Sequence, residues 1–249
     1  MLRGLFTCCV FVLATAIFGS LVMVAGLLLP GRDVTMRIAR LWSRTCLLAA
    51  GVRPVHENRE HAAARLPCIF IANHQSILDI WALIPVLPTS TRFVAKRSLF
   101  WIPIFGWAIA AAGFVPIDRK NRTAALRSLA RAAEKVRKGR SLLLFAEGTR
   151  SRDGRLRPFK RGAFHLALEA GVPIVPVAIS GSGRVLPPGF LFRIAPGEVR
   201  LAFSAPIDVA PYAREAGIDA LVRDARARIV ERLAPEELGP GDAVRAGAP

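Results

Sequence analysis

Four polar clusters hold most of the side chains that could do chemistry, and each follows an apolar, strand-like run. Asn73-His74-Gln75-Ser76, with Asp79 just beyond, follows residues 68–72. Asp118-Arg119-Lys120 follows 114–117, Glu147-Gly148-Thr149-Arg150-Ser151 follows 141–146, and Ser180-Gly181-Ser182-Gly183 follows 174–179. Histidine is the side chain best suited to take a hydroxyl proton near neutral pH. A carboxylate on its other ring nitrogen would fix the tautomer and stabilise the imidazolium. His74 and Asp79 are five apart, so they do not stack on a regular helix; they meet if His74 lies in the turn before a helix and Asp79 in its first turn. The same spacing also makes Ser76 an N-cap and Asp79 its capping-box partner, with no catalysis implied. From this segment alone both readings stand.

In the third cluster, a glycine after a strand permits a tight turn with exposed N–H groups, and Arg150 offers a two-pronged fork for a phosphate monoester. Glu147 could orient that arginine or accept from a substrate hydroxyl, although a polar loop with a surface ion pair has the same composition. Asp118-Arg119-Lys120 also suits a charged cap on the helix that begins near Thr123, and Lys160-Arg161 suits a solvated loop.

Positioning these groups requires the elements around them. From Gly51 onward, short Val-, Ile- and Phe-rich runs alternate with helical segments, which is the α/β pattern. The expected strands are 68–72, 92–95, 114–117, 141–146, 174–179 and 198–204; the expected helices are 77–86, 122–138, 162–170 and 212–233. The fold expected is a mixed, mostly parallel sheet flanked by helices. If the strands are parallel neighbours, His74, Asp79, Arg119, Glu147 and Arg150 converge at their carboxyl ends, where such sheets bind ligands.

The 249 residues fit one α/β domain plus an extension. Residues 5–29 carry no charge and as a helix would reach ~37 Å, enough for a bilayer core. No small-x-small cleavage site follows, so the segment is expected to remain as an anchor. Residues 34–50 read as a basic amphipathic helix with Arg37, Arg40 and Arg44 on one face, suited to the headgroup interface. The two form an expected membrane-embedded helix pair over residues 1–50, with the catalytic domain over 51–234 and a disordered Pro/Gly/Ala-rich tail over 235–249. Uncharged residues 98–117 are broken by Pro103, Gly106, Gly113 and Pro116, and are expected as a broken helix pair ending in a strand. More basic residues follow the anchor than precede it, which expects the domain on the cytoplasmic side of an inner membrane.

Lys and Arg number 35 against 18 acidic residues, a formal charge of +17, so a polyanionic partner is expected. The 53% hydrophobic content and single tyrosine, Tyr212, argue against a nucleic-acid binder and for an anionic membrane surface. Cys8, Cys9, Cys46 and Cys68 form no disulfide or metal framework.

The chain resembles the glycerolipid acyltransferases, most of all the bacterial lysophosphatidic acid acyltransferases. The resemblance lies in the order Asn73-His74-x4-Asp79, Gly113-Phe-Val-Pro-Ile-Asp-Arg119, Phe145-Ala-Glu147-Gly-Thr-Arg-Ser151 and Val172-Pro-Ile-Val-Pro-Val177, and spans about residues 68–180. It implies that His74 is the general base on an acceptor hydroxyl and Asp79 its orienting partner. Arg119, Glu147, Gly148, Thr149 and Arg150 would form the acceptor-phosphate site, and 172–177 a buried strand. It further implies direct acyl transfer from acyl-CoA or acyl-carrier protein to a lysophospholipid, with no metal or other cofactor. Ala146 stands where a proline often precedes Glu-Gly-Thr-Arg, and Pro116 where a bulkier residue is common. Rival readings are transfer to a lyso-ornithine lipid or to glycerol 3-phosphate, a hydrolase with Ser76 as nucleophile, and a non-catalytic basic membrane adaptor.

Overall fold

The computed structural model describes residues 2–29, 33–119, 121–189, 193–213 and 217–243. Helices α1 (Leu2–Leu28) and α2 (Val34–Ala50) come first. The strands that follow are β1 (Val52–Glu57), β2 (Ile69–Ala72), β3 (Arg92–Lys96), β4 (Val115–Ile117), β5 (Leu142–Phe145), β6 (Ile174–Ser180) and β7 (Gly197–Phe203). They form one sheet in the order β1-β7-β6-β2-β5-β3-β4, with every neighbouring pair parallel except β6 and β7. The expected mixed, mostly parallel sheet is therefore present.

Strand β2 shows why this sheet is covered on both faces. Its four residues are completely buried, and they alternate between two cores. Phe70 and Ala72 pack toward α2 and α3 (Leu78–Leu83), against Met36, Leu47 and Leu83. Ile69 and Ile71 pack toward α5 (Arg122–Arg137), α6 (Gly162–Ala170) and α8 (Gly217–Val230), against Val136, Phe164 and Leu221. A strand with both faces covered reads as an unbroken apolar run, which is how it was recognisable in sequence. Burying Phe70 alone contributes ~2 kcal/mol.

Residues 97–117 resolve as expected, into a 3₁₀ turn (Arg97–Trp101), α4 (Phe105–Ala111) and β4. Strand β1 was not expected. Val52-Arg-Pro-Val-His-Glu pairs in parallel with β7 at the sheet edge, where Pro54 and polar neighbours are tolerated. The expected disordered tail is corrected in part. Residues Pro235–Glu237 form a 3₁₀ turn and Pro240–Ala243 a short helix, α9; Leu238 is buried, and Glu237 accepts from the Gly181 N–H at 2.8 Å. Residues 244–249 of that tail lie outside the described residues, as do 214–216 of the expected helix 212–233, which is seen as α8.

Helix α1 is long and apolar enough to cross a membrane, and it lies against the domain along its length. Thr7 Oγ1 donates to Ala49 O (3.0 Å) near its start, and Trp42 Nε1 donates to Thr15 Oγ1 (3.1 Å) at its middle. Small residues allow this approach. A Cβ on Gly19 would come within 2.9 Å of Ile104 Cγ2, and one on Gly26 within 3.0 Å of Ala111 Cβ.

Candidate active site

The first cluster is held by bonds from two neighbouring strands. Beyond the end of β2, the Asn73 amide continues the ladder with its side chain, donating to Ile179 O (2.8 Å) and accepting from Ile179 N (2.7 Å). The next peptide is clamped from the other side: His74 N donates to Glu147 Oε1 (2.7 Å), and His74 O accepts from Ser151 N (2.8 Å). The His74 ring is stacked on Phe145, with centroids 3.7 Å apart and planes at 10°.

His74 Nδ1 meets Asp79 Oδ2 at 2.6 Å, and the same oxygen accepts from Gln75 N (2.8 Å) and Ser76 N (2.9 Å). An N–H at Nδ1 satisfies this arrangement and leaves the lone pair on Nε2, so the tautomer is assigned from the network. Both readings of the spacing hold together. Asp79 caps the chain entering α3, and with the same oxygen it orients the imidazole. Ser76 Oγ accepts from Leu78 N (3.3 Å) and donates to Leu186 O (2.8 Å), and the residue is buried. A hydroxyl so engaged is a cap, which removes the basis for a Ser76 nucleophile.

A cavity of about 420 Å³ opens beside His74. Most of its polar lining comes from strand ends: His74 after β2, Lys96 ending β3, Arg119 after β4, and Thr149 and Arg150 after β5. Its apolar lining includes Phe18 and Val22 of α1, Trp42 of α2, Ala108 of α4, Ile80 of α3 and Phe93 of β3. Arg119 is open to solvent on the cavity side, yet the surrounding protein mass and then the nearby Arg150 charge lower its pKa from the usual arginine value. Two guanidinia close enough to oppose one another are suited to an anion between them.

The sequence-based site is thus mostly assembled, with two residues placed differently. Glu147 is behind His74 and off the cavity wall, its Oε2 accepting from Arg157 N (3.1 Å). Burial raises its pKa to about 7 against the pull of its two backbone donors. Gly148 makes the turn at φ +72°, where a Cβ would also meet the Lys160 side chain at 2.9 Å. These two shape the loop; Arg119, Thr149 and Arg150 face the space. Lys96 was missed although Lys96-Arg97-Ser98 is a polar run directly after the expected strand 92–95, and that place at a strand end was the available signal. Arg161 is used in an exposed ion pair with Asp219 (2.8 Å), in keeping with a solvated loop. Ala146, in the place of the common proline, donates its N–H to Ala72 O (2.9 Å), a bond that proline could not make.

The sequence profile of the acyltransferase family matches residues 53–180, which takes in His74, Asp79, Lys96, Arg119, Glu147, Thr149 and Arg150. This chain belongs to the acyltransferase family. The acyltransferase is 38% identical over 196 residues to the chloroplastic 1-acyl-sn-glycerol-3-phosphate acyltransferase BAT2 of Brassica napus, covering 79% of this chain and 55% of that one. It therefore spans about half the length of that relative. It is 36% identical to the 1-acyl-sn-glycerol-3-phosphate acyltransferase of Limnanthes douglasii, covering 82% of this chain and 73% of that one. Among solved structures it is similar to the 1-acyl-sn-glycerophosphate (LPA) acyltransferase PlsC of Thermotoga maritima. The TM-score is 0.77 at 27% identity, with 92% of each chain covered.

Proposed function

We propose that the chain transfers a fatty acyl group from a thioester donor, acyl-CoA or acyl-carrier protein, to the free hydroxyl of 1-acyl-sn-glycerol-3-phosphate, giving phosphatidic acid. The observation that carries this reading is that an oriented imidazole and two guanidinia line one cavity whose walls are otherwise mostly apolar. The names of the two plant relatives and of the crystallised Thermotoga protein point the same way.

In this reading Arg119 and Arg150 hold the acceptor phosphate and the apolar walls receive an acyl chain. His74 Nε2 takes the proton of the free hydroxyl as its oxygen bonds to the thioester carbonyl carbon. Asp79 stabilises the imidazolium that forms. When the tetrahedral intermediate collapses, the carbon–sulfur bond breaks and the thiolate takes the proton back from Nε2. The donor supplies the acyl group, and the chemistry draws on no further cofactor.

The reading includes attachment to a membrane by a helix that lies in one leaflet. A spanning helix would leave its domain at one end, whereas α1 is packed along its length. Its outer face exposes Phe6, Leu13, Ile17, Leu21, Val24 and Leu28 at three- to seven-residue spacings, joined by Leu48 of α2 and by Trp101 and Trp107. Such a face suits the boundary of headgroups and chains, with the tryptophans at the interface and the domain on the cytoplasmic side.

The test is labelled acyl-CoA with a panel of lyso-lipids. Transfer to 1-acylglycerol 3-phosphate is expected, with loss on His74→Ala while the variant stays bound to vesicles. Transfer to lyso-ornithine lipid in preference, or to no acceptor, would overturn the assignment.

A further inference from the structure

A second cavity, of about 380 Å³, lies at the other end of α1 from Arg3 and shares only Ala112 with the catalytic one. Leu29, just after α1, forms part of its wall, and Gly113 another part. Four cations also line it: Arg92 from β3, Lys135 from α5, and Lys138 and Arg140 from the turn that follows. Arg92 is 5% exposed, so at least one of these charges is held deep.

The local acids account for only part of this charge. Asp33 lies between Arg92 (3.0 Å) and Arg140 and latches the start of α2 to the sheet; Lys138 is paired with Glu134 at 2.7 Å. Among the described residues Lys135 has no carboxylate partner. Its Nζ donates to Gly113 O (2.9 Å), and burial and then the Arg92 and Arg140 charges lower its pKa from the usual lysine value. A structural latch explains Asp33, Arg92 and Arg140. It does not explain Lys135, which lines the same hollow without an acidic partner among the described residues, where like charges oppose one another.

We propose that this cavity seats the phosphate of an anionic phospholipid headgroup from the surrounding bilayer, separately from the acceptor site. The inference rests on the membrane-bound reading above. Leu27 and Leu28, 80% and 68% exposed, lie at the same end of α1, so the cavity opens beside a segment that would enter the leaflet. Phosphates of a bilayer are concentrated at that depth, and clustered cations there recognise them. Acyl chains extending from a headgroup in the cavity would run along the exposed face of α1.

The test compares the full chain with Lys135→Gln/Lys138→Gln and with Arg65→Gln/Arg223→Gln, which removes equal charge from exposed sites elsewhere. Each is floated with phosphatidylcholine vesicles, alone or containing about one-fifth phosphatidylglycerol. The wild type is expected to favour the anionic vesicles, and the lysine pair to lose that preference by about tenfold or more. The control pair should lose distinctly less, and all three should transfer acyl groups equally in detergent micelles. An amine-reactive label should be excluded from Lys135 by anionic vesicles and not by neutral vesicles with inorganic phosphate or CoA added. Equal losses in the two variants would mean a diffuse surface effect and overturn the site, and protection by phosphate or CoA would overturn the lipid as its source. Wild-type protein that binds neither vesicle would instead overturn the membrane reading, and the headgroup with it.

Discussion

Asp79 Oδ2 accepts from the His74 ring and from two consecutive backbone N–H groups, so one atom fixes both the turn and the imidazole. Asp79→Asn should therefore do more than weaken a cap. Its amide oxygen can still accept these bonds but carries no charge to stabilise an imidazolium, and kcat should fall by about 10³–10⁴, the loss expected when the orienting carboxylate of an acyl-transfer histidine is neutralised. A kcat within about threefold of wild type would contradict that role. Glu147 makes a pH prediction. Its pKa is raised from 4.5 to about 7, so the folded chain holds a proton there that the unfolded chain has released. Its contribution to stability is fully present below pH 4.5 and is lost as pH rises through about 7, by roughly 3 kcal/mol across the window. Glu147→Gln removes that titration, so wild-type stability relative to this variant should fall as pH rises between those values in thermal melts in detergent. A constant difference would show that burial does not hold the proton.

At the scale of elements, the Asn73 side chain ties the exit of β2 to β6 through two bonds to Ile179. Asn73→Ala should cost about 2–3 kcal/mol, because it leaves a buried backbone N–H and C=O without partners. It should also lower kcat more than it raises KM if the displaced His74 is the base, as proposed, and not the acceptor's anchor; a change confined to KM would contradict this. Much at this scale was legible. The buried central strands announced themselves as apolar runs, and their parallel order placed His74, Arg119 and Arg150 on one rim. Edge strand β1 was not legible, because it is polar on its open side and carries Pro54. The segment 235–243 resembled a linker in composition, yet it is fixed by Glu237 and Leu238, contacts made with residues far away in sequence. The place of Glu147 was hidden for the same reason: a glutamate before glycine reads as a ligand, and only the fold shows that its two oxygens are used on backbone.

For the molecule as a whole, α1 links the cavity beside His74 to the apolar exterior, since it supplies cavity wall on one side and an exposed apolar face on the other. Leu13→Glu/Leu21→Glu places two charges on that face without touching the packed one. Partition onto vesicles should weaken by about 100-fold or more, while transfer from acyl-CoA to acceptor in micelles persists. Unchanged partition would mean that α1 is not the element that enters the lipid. The central claim, that the base and the phosphate anchors serve one acceptor, is tested most directly by measuring kcat/KM on 1-acylglycerol 3-phosphate and on 1-acylglycerol, which lacks the phosphate. The wild type should favour the phosphate-bearing acceptor strongly, and Arg119→Gln/Arg150→Gln should erase that preference with transfer to 1-acylglycerol little changed. A double variant that still discriminates as the wild type does would show that the guanidinia beside His74 do not hold the acceptor.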